Sequence, residues 1–328
     1  MDISEEEKQK IREKVEKLKN SRFKQQTLPA WRPIPSFKST MITFTVFGII
    51  FLALGIALYV MSDQIKEVTY QYDDDETCKQ NIGEGKKCTV PIVIKEGIDQ
   101  PIYVYYQLDN FYQNHRRYVK SRSFDQLKGK QLSTSDVNTD CDPIVKNKDT
   151  GKTTSINGKP LNADDVAWPC GLVAKSFFND NYTLADPKGA VVDINQKGIA
   201  WESDKEYKFA NWKGNNSAVT YKDVQWIDVE DEHFIVWMRT AGLPSFRKLW
   251  GKIEKRLEPG TYQLTIDNRY DVSSFDGQKS FVLSTTNTLG GKNYFLAICY
   301  IVVGALCILF AIIFLVAFLK KRSSRHND

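Results

Sequence analysis

Two long runs without a charge divide this chain into a tail, a large middle and a second tail. The first run, Met41 to Met61, contains no Asp, Glu, Lys or Arg. As a helix it would reach ~31 Å at about 1.5 Å per residue, close to one hydrocarbon core. The second, Asn293 to Leu319, would reach ~40 Å, too long for the core unless tilted by ~40°, so Asn293 and Tyr294 are expected at the interface. Lipid offers a backbone no hydrogen-bond partners, so each run can cross only as a helix. The first does not read as a cleaved signal. The charged segment before it is long, and Leu58-Tyr59-Val60-Met61 offers no small-residue cleavage site. The second is followed by Lys320-Lys321-Arg322 and Arg325, which excludes a lipid-anchor signal ending in an apolar tail.

Between the runs the period changes. Short stretches rich in Val, Ile, Tyr and Thr predict strands at Cys88–Ile94, Pro101–Leu108, Ala190–Ile194, Phe234–Arg239, Gly260–Asp267 and Lys279–Thr286. Gly260 to Ile266 alternates with a clean period of two, and Phe275-Asp276-Gly277 marks a turn before the last strand. Helical character is predicted locally, over Pro244–Arg256. Strands following strands imply an antiparallel sandwich with helical insertions. Thr139–Ala163, polar and rich in Lys, Asn, Thr and Gly, predicts an excursion loop. The expected fold class is a membrane protein with two transmembrane helices and a large, mainly antiparallel β domain. The expected domains are a tail over 1–40, a helix over 41–62, the β-rich domain over 63–292, a helix over 293–319 and a tail over 320–328.

The first tail has two textures. Residues 1–20 predict a charged helix opened by a Ser4–Glu7 capping box, with a thin apolar stripe of Ile11, Val15 and Leu18. Then Pro29, Pro33 and Pro35 forbid a continuous helix, on a segment carrying Phe23, Leu28 and Trp31. Two readings of those apolar residues stay open: an interfacial anchor, or a peptide laid along a partner's cytosolic face.

Charge orients the chain. Lys17 to Thr40 holds Lys and Arg (Arg22, Lys24, Arg32, Lys38) and no acid, whereas the far flank of the first run carries Asp63, Glu67 and Asp73-Asp74-Asp75-Glu76. Positive charge stays cytosolic, so both tails are expected in the cytosol and residues 63–292 on the lumenal or outer side. There Cys78, Cys88, Cys141 and Cys170 should be oxidised. Three connectivities are possible, and the local pairs Cys78–Cys88 and Cys141–Cys170 are expected. The sequons at Asn181 and Asn215 fit the same compartment.

The net charge of +5 over 328 residues does not suggest a nucleic-acid partner. Asp149-Thr150-Gly151-Lys152 resembles the end of a phosphate-binding loop, but Lys146 stands where that loop needs a glycine. Glu230-Asp231-Glu232-His233 reads as a solvated turn before a strand. Three His, no H-E-x-x-H and no G-x-S-x-G leave no catalytic or metal site and no cofactor to assign. Neither apolar run can line a polar path by itself. Both carry small residues at heptad spacing, Gly48 and Gly55 in the first and Ala297, Gly304 and Ala311 in the second, which would let backbones approach. In Asn110–Arg122, basic and aromatic residues interleave around Arg116 and Arg117. Ion pairing inside the domain and contact with an acidic surface or anionic lipid both stay open.

At this run the chain resembles a known family. Phe23-Lys24-Gln25-Gln26, Leu28-Pro29-Ala30-Trp31, Asn110–Arg122, Gly198-Ile199-Ala200-Trp201, Phe234–Thr240, Leu243-Pro244, Phe246-Arg247-Lys248-Leu249 and Gly290-Gly291-Lys292-Asn293 are similar to the ligand-effect-modulator, or cell-division-cycle-fifty, family. Its members are accessory β-subunits of type-four P-type ATPases, the phospholipid flippases. The resemblance implies a non-catalytic subunit that holds the α-subunit as a heterodimer, carries it out of the endoplasmic reticulum and supports lipid transport in the secretory pathway or plasma membrane. On that reading Phe23, Leu28, Trp31, Gly48, Gly55, Gly304, Ala311, Arg116 and Arg117 are candidate partner contacts. The alternatives from other classes are a membrane-anchored receptor and a lumenal hydrolase.

Overall fold

The computed structural model describes residues 5–29, 36–214, 219–288 and 290–324, so Trp31 and Asn215 lie outside the described residues. The chain forms two units, Tyr59–Tyr294 and the pair of segments Met1–Leu58 and Phe295–Asp328.

The Tyr59–Tyr294 unit is a sandwich of two antiparallel sheets. Its strands are β1 (Glu67–Gln71), β2 (Lys87–Ile94), β3 (Ile102–Asp109), β4 (Asn181–Ala185), β5 (Val191–Val192), β6 (Phe246–Ile253), β7 (Gly260–Asp267) and β8 (Gln278–Ser284). One sheet runs β1-β8-β3-β6 and the other β2-β7-β4-β5. Alternation makes the core. Val90, Ile92 and Ile94 on β2, Tyr262, Leu264 and Ile266 on β7, and Ile102, Val104 and Leu108 on β3 all point into one shared cluster. Burying each such side chain stabilises by roughly 1.5–3 kcal/mol before entropy is counted.

Two expected elements exchange type. Phe234–Arg239, expected as a strand, lies in the helix Glu232–Met238. Its residues Phe234 to Met238 are all buried, so every face is covered and the strand-like composition carries no weight against packing. Asp231 starts this helix by accepting from the backbone N–H of His233 at 2.8 Å and of Phe234 at 3.2 Å. Pro244–Arg256, expected as helical, is instead β6. It pairs with β3 through a bulge between Val104 and Tyr105. A Cβ on Gly251, beside the bulge, would lie 2.6 Å from Ile194 Cγ2, so close packing holds that position to glycine. Ala190–Ile194 shrinks to the two residues of β5, and β1 and β4 carry no counterpart among the expected strands.

Thr139–Ala163 is more ordered than an excursion loop. The helix Thr134–Cys141 packs Val137 and Cys141 against Val145, Ala167 and Cys170 as a small satellite core. Asp149 accepts from the backbone N–H of Lys146 at 2.8 Å, and Gly151 takes the left-handed conformation that ends the helix Asn147–Thr150. The phosphate-loop look-alike is therefore a capped helical turn.

In the other unit, Glu5–Asn20 is a charged helix with Ile11, Val15 and Leu18 exposed. Phe37–Asp63 and Phe295–Ser324 are helices long and apolar enough to cross a membrane. Only 11% of each apolar window is buried, so neither is the core helix of a soluble fold.

Candidate functional site

The two long helices meet along small residues. Gly48, Gly55, Ala297, Gly304 and Ala311 are all buried. A Cβ on Gly48 would sit 2.7 Å from Ile308 Cδ1, and one on Gly304 would sit 2.8 Å from the Leu52 backbone nitrogen. Backbones thus approach where no hydrophobic force acts between helices in lipid, and the seven-residue spacing keeps one face turned to the other. Phe44 stacks on Phe314 at 6.0 Å beside this seam. The small-residue faces, expected to dock on a partner, here lie against the companion span. The surfaces left open are large aliphatic ones: Ile42, Ile49, Ile56, Ile298, Ile312 and Val316 are each at least 50% exposed.

On the tail, the backbone N–H of Gln25 donates to Ser21 O at 2.9 Å, and that of Thr27 to Arg22 O at 2.8 Å, forming a tight turn. It presents Phe23 and Leu28 at 77% and 56% exposure, the state of an apolar residue without a cover. Trp31, grouped with them, is outside the described residues.

In the sandwich unit Cys78 is joined to Cys88 and Cys141 to Cys170, with Cα separations of 5.0 and 5.6 Å. Cys299 and Cys307 are free thiols. Asn181 opens β4 on its exposed face while Tyr182 turns inward. Where the chain leaves and rejoins the sandwich, Asn287 Nδ2 donates to Met61 O at 2.9 Å, the Asn293 N–H donates to Ser62 Oγ at 2.9 Å, and Tyr294 donates to Asp63 at 2.8 Å.

The Asn110–Arg122 run divides by residue type. Phe111 lies inward against Tyr118, Trp237 and Phe275, and buried Gln113 accepts from the Ala241 N–H at 2.9 Å. Arg116 and Arg117 lie on the outer side of a short helix, and Arg117 reaches Asp142 at 3.6 Å with both side chains mostly exposed. Such a pair contributes little by itself.

Glu230–His233 is not a solvated turn. Glu232 accepts the backbone N–H groups of Gly198, Ile199 and Ala200 at 3.1, 2.7 and 2.9 Å. Burial raises its pKa, but these hydrogen bonds and Lys205 outweigh burial and leave it below the usual glutamate value. The loop so fixed presents Trp201 at 64% exposure.

Two lysines sit inside the core. Lys279 and Asp180 are both fully buried and 2.8 Å apart. Lys279 also donates to Asn268 Oδ1 at 2.5 Å and to Tyr270 O. Asp180 further accepts from Tyr72 Oη and from the N–H groups of Arg269 and Tyr270. Burial pulls the Lys279 pKa down while Asp180 opposes the shift. Lys248 donates to the carbonyls of Val236, Trp237 and Arg239 at the end of the helix Glu232–Met238. Burial, then Arg239 and Arg122, lower its pKa to about 7. Both lysines occupy inward positions on strands otherwise lined by Phe246, Trp250, Phe281 and Leu283. The signal available in the sequence was that phase: a lysine in step with the apolar residues.

The arrangement is one of fixation. The largest cavity described, about 940 Å³, is open and lined in part by Tyr118, Trp226, Arg269 and Tyr270. Burial pushes the Tyr118 phenol up to about 12 and Tyr270 higher still, so neither serves as a base at neutral pH. Among the described residues no group of His, Cys, Asp and Glu is placed to hold a metal ion.

Comparison with known proteins covers nearly the whole chain. Residues 57–324 match the model of the LEM3 (ligand-effect modulator 3) family / CDC50 family. The chain is 38% identical to Cell cycle control protein 50A of Mus musculus, over 96% of this chain and 92% of that protein. It is 41% identical to ALA-interacting subunit 3 of Arabidopsis thaliana, over 94% and 88%, and 33% identical to Cell cycle control protein 50B of Homo sapiens, over 94% and 95%. With its family model matched through the sandwich and the second span, this chain belongs to the LEM3/CDC50 family.

Proposed function

We propose that this chain is the non-catalytic accessory subunit of a phospholipid flippase. It binds the catalytic type-four P-type ATPase as a heterodimer, supports its exit from the endoplasmic reticulum and sustains transport of membrane phospholipids. The observation that carries this reading is family membership at near full length, together with a relative whose name makes it an interacting subunit. The physical features agree. Two uncharged spans packed on each other make no polar pathway. A disulfide-linked sandwich spends its buried ions on its own core. On this reading both tails are cytosolic, residues 63–292 are exoplasmic, and Asn181 and Asn215 carry glycans. Phe23, Leu28 and Trp31 lie along the partner's cytosolic edge, and Arg116 and Arg117 face it on the other side. The outward faces of Ile42, Ile49, Ile298 and Ile312 meet its helices. Purification of the tagged chain in mild detergent, followed by mass spectrometry, tests the proposal. A stoichiometric P-type ATPase is the expected result, and recovery of the chain alone from cells that express such ATPases contradicts it.

A further inference from the structure

The sandwich unit holds a charged cleft that neither its core nor its disulfides account for. Its volume is about 230 Å³, and Arg122, Phe124, Asp204, Lys208, Met238 and Arg239 line it. At about 30 Å³ per water it has room for about eight waters, the scale of one side chain with its solvent. Lys208 donates to one oxygen of Asp204 at 2.7 Å and Arg239 Nε to the other at 3.1 Å. Arg122 Nη1 donates to Met238 O at 3.0 Å. Two of these three cations share the Asp204 carboxylate and Arg122 has only a carbonyl, which leaves the lining with a formal surplus of two positive charges. Among the described residues, two buried nitrogens, Arg122 Nε and Arg239 Nη2, have no acceptor. A buried donor without a partner costs about 1–3 kcal/mol, and more on a charged group, so it calls for a ligand.

The rim says what kind. The Arg239 guanidinium stacks 3.7 Å over the Trp201 ring, and Arg122 lies 4.8 Å over the Phe124 ring. Both rings are more than half exposed, at 64% and 59%. Trp201 follows the loop that Glu232 fixes through three backbone N–H groups, so little freedom is lost on contact. Exposed Trp beside Arg is the composition of a binding hot spot. A free inorganic anion has no use for two rings, whereas an acidic side chain on a loop brings an apolar stem to lie between them. A carboxylate is the acceptor that a pair of guanidinium groups grips best.

We infer that this cleft seats one Asp or Glu side chain from an exoplasmic loop of the partner subunit, gripped by Arg122 and Arg239 and flanked by Trp201 and Phe124. The inference rests on the accessory-subunit reading and names where on the sandwich the partner is held. The test uses the full chain co-expressed with its ATPase. Arg122→Gln with Arg239→Gln should lower co-purification at least tenfold at 0.15 M salt, and should remove most of its salt dependence. Trp201→Ala, at an exposed position that the core does not need, should lower it several-fold with the sandwich intact by trypsin resistance. Phe124→p-benzoylphenylalanine should photo-crosslink to an ATPase peptide containing Asp or Glu. Equal recovery of the ATPase by Trp201→Ala and the folded arginine variants, or crosslinking to lipid in place of protein, would overturn the cleft assignment and leave the subunit reading standing. Failure of the unaltered chain to retain any ATPase would overturn both.

Discussion

Lys279 and Asp180 show what the sandwich does with charge. Neither is reached by solvent, and every oxygen of the carboxylate has a donor. Removing one partner strands the other, so Asp180→Asn should destabilise the full chain by about 3–5 kcal/mol. Adding Lys279→Met should recover part of that loss, because the stranded charge is gone. Urea midpoints in mild detergent give the comparison, and strictly additive effects would contradict it. Glu232 makes a prediction in pH. Its pKa lies below the ordinary 4.5, so its contribution is complete above that pH and fades as pH falls through the depressed value. Between pH 5 and pH 3 the urea midpoint of the unaltered chain should therefore fall more steeply than that of Glu232→Gln. Parallel curves would show that the triple N–H contact carries no linkage.

At the scale of elements, the two spans and four of the strands were legible, because an uncharged run and a period of two each have one physical meaning. The exchange between Phe234–Arg239 and Pro244–Arg256 was not. A short apolar run buried on all sides reads alike as helix or strand, and only Asp231 marks a helix start. In β6 the alternation is broken by Lys248, whose ammonium serves the helix end, and by the bulge beside Gly251. Both causes lie in the tertiary contacts of residues far apart in the chain. The small-residue spacing was visible, but sequence could not say that its partner is the companion span. Gly304→Leu should consequently loosen the helix pair first: a disulfide between cysteines introduced at Thr45 and Ala311, which border the same groove along the helix pair, should form in the unaltered background and fall several-fold in the variant. Unchanged cross-linking would place the seam elsewhere. Of the two bridges, Cys141–Cys170 closes 29 residues against 10 for Cys78–Cys88. On chain entropy alone its removal should cost about 1 kcal/mol more. Melting of the two double-serine variants measures the order, and a larger loss from the shorter loop would reverse it.

For the whole molecule, the account is of a scaffold: two helices sealed on each other by glycine, a sandwich pinned by buried ions and disulfides, and apolar or cationic surfaces left uncovered at Phe23, Leu28, Trp201 and Arg239. Such surfaces are costly alone and useful against another protein. The candidate partner residues were only partly legible, since Phe23 and Leu28 advertise themselves on a proline-rich tail whereas Trp201 and Arg239 are brought together by folding. The central claim is that the catalytic ATPase depends on this chain. The most direct measurement depletes the chain and follows both delivery of the ATPase from the endoplasmic reticulum and its lipid-stimulated ATP hydrolysis. The account predicts that the ATPase is retained and its lipid stimulation lost, with both restored by the unaltered chain; delivery and hydrolysis that continue undiminished without the chain would contradict it.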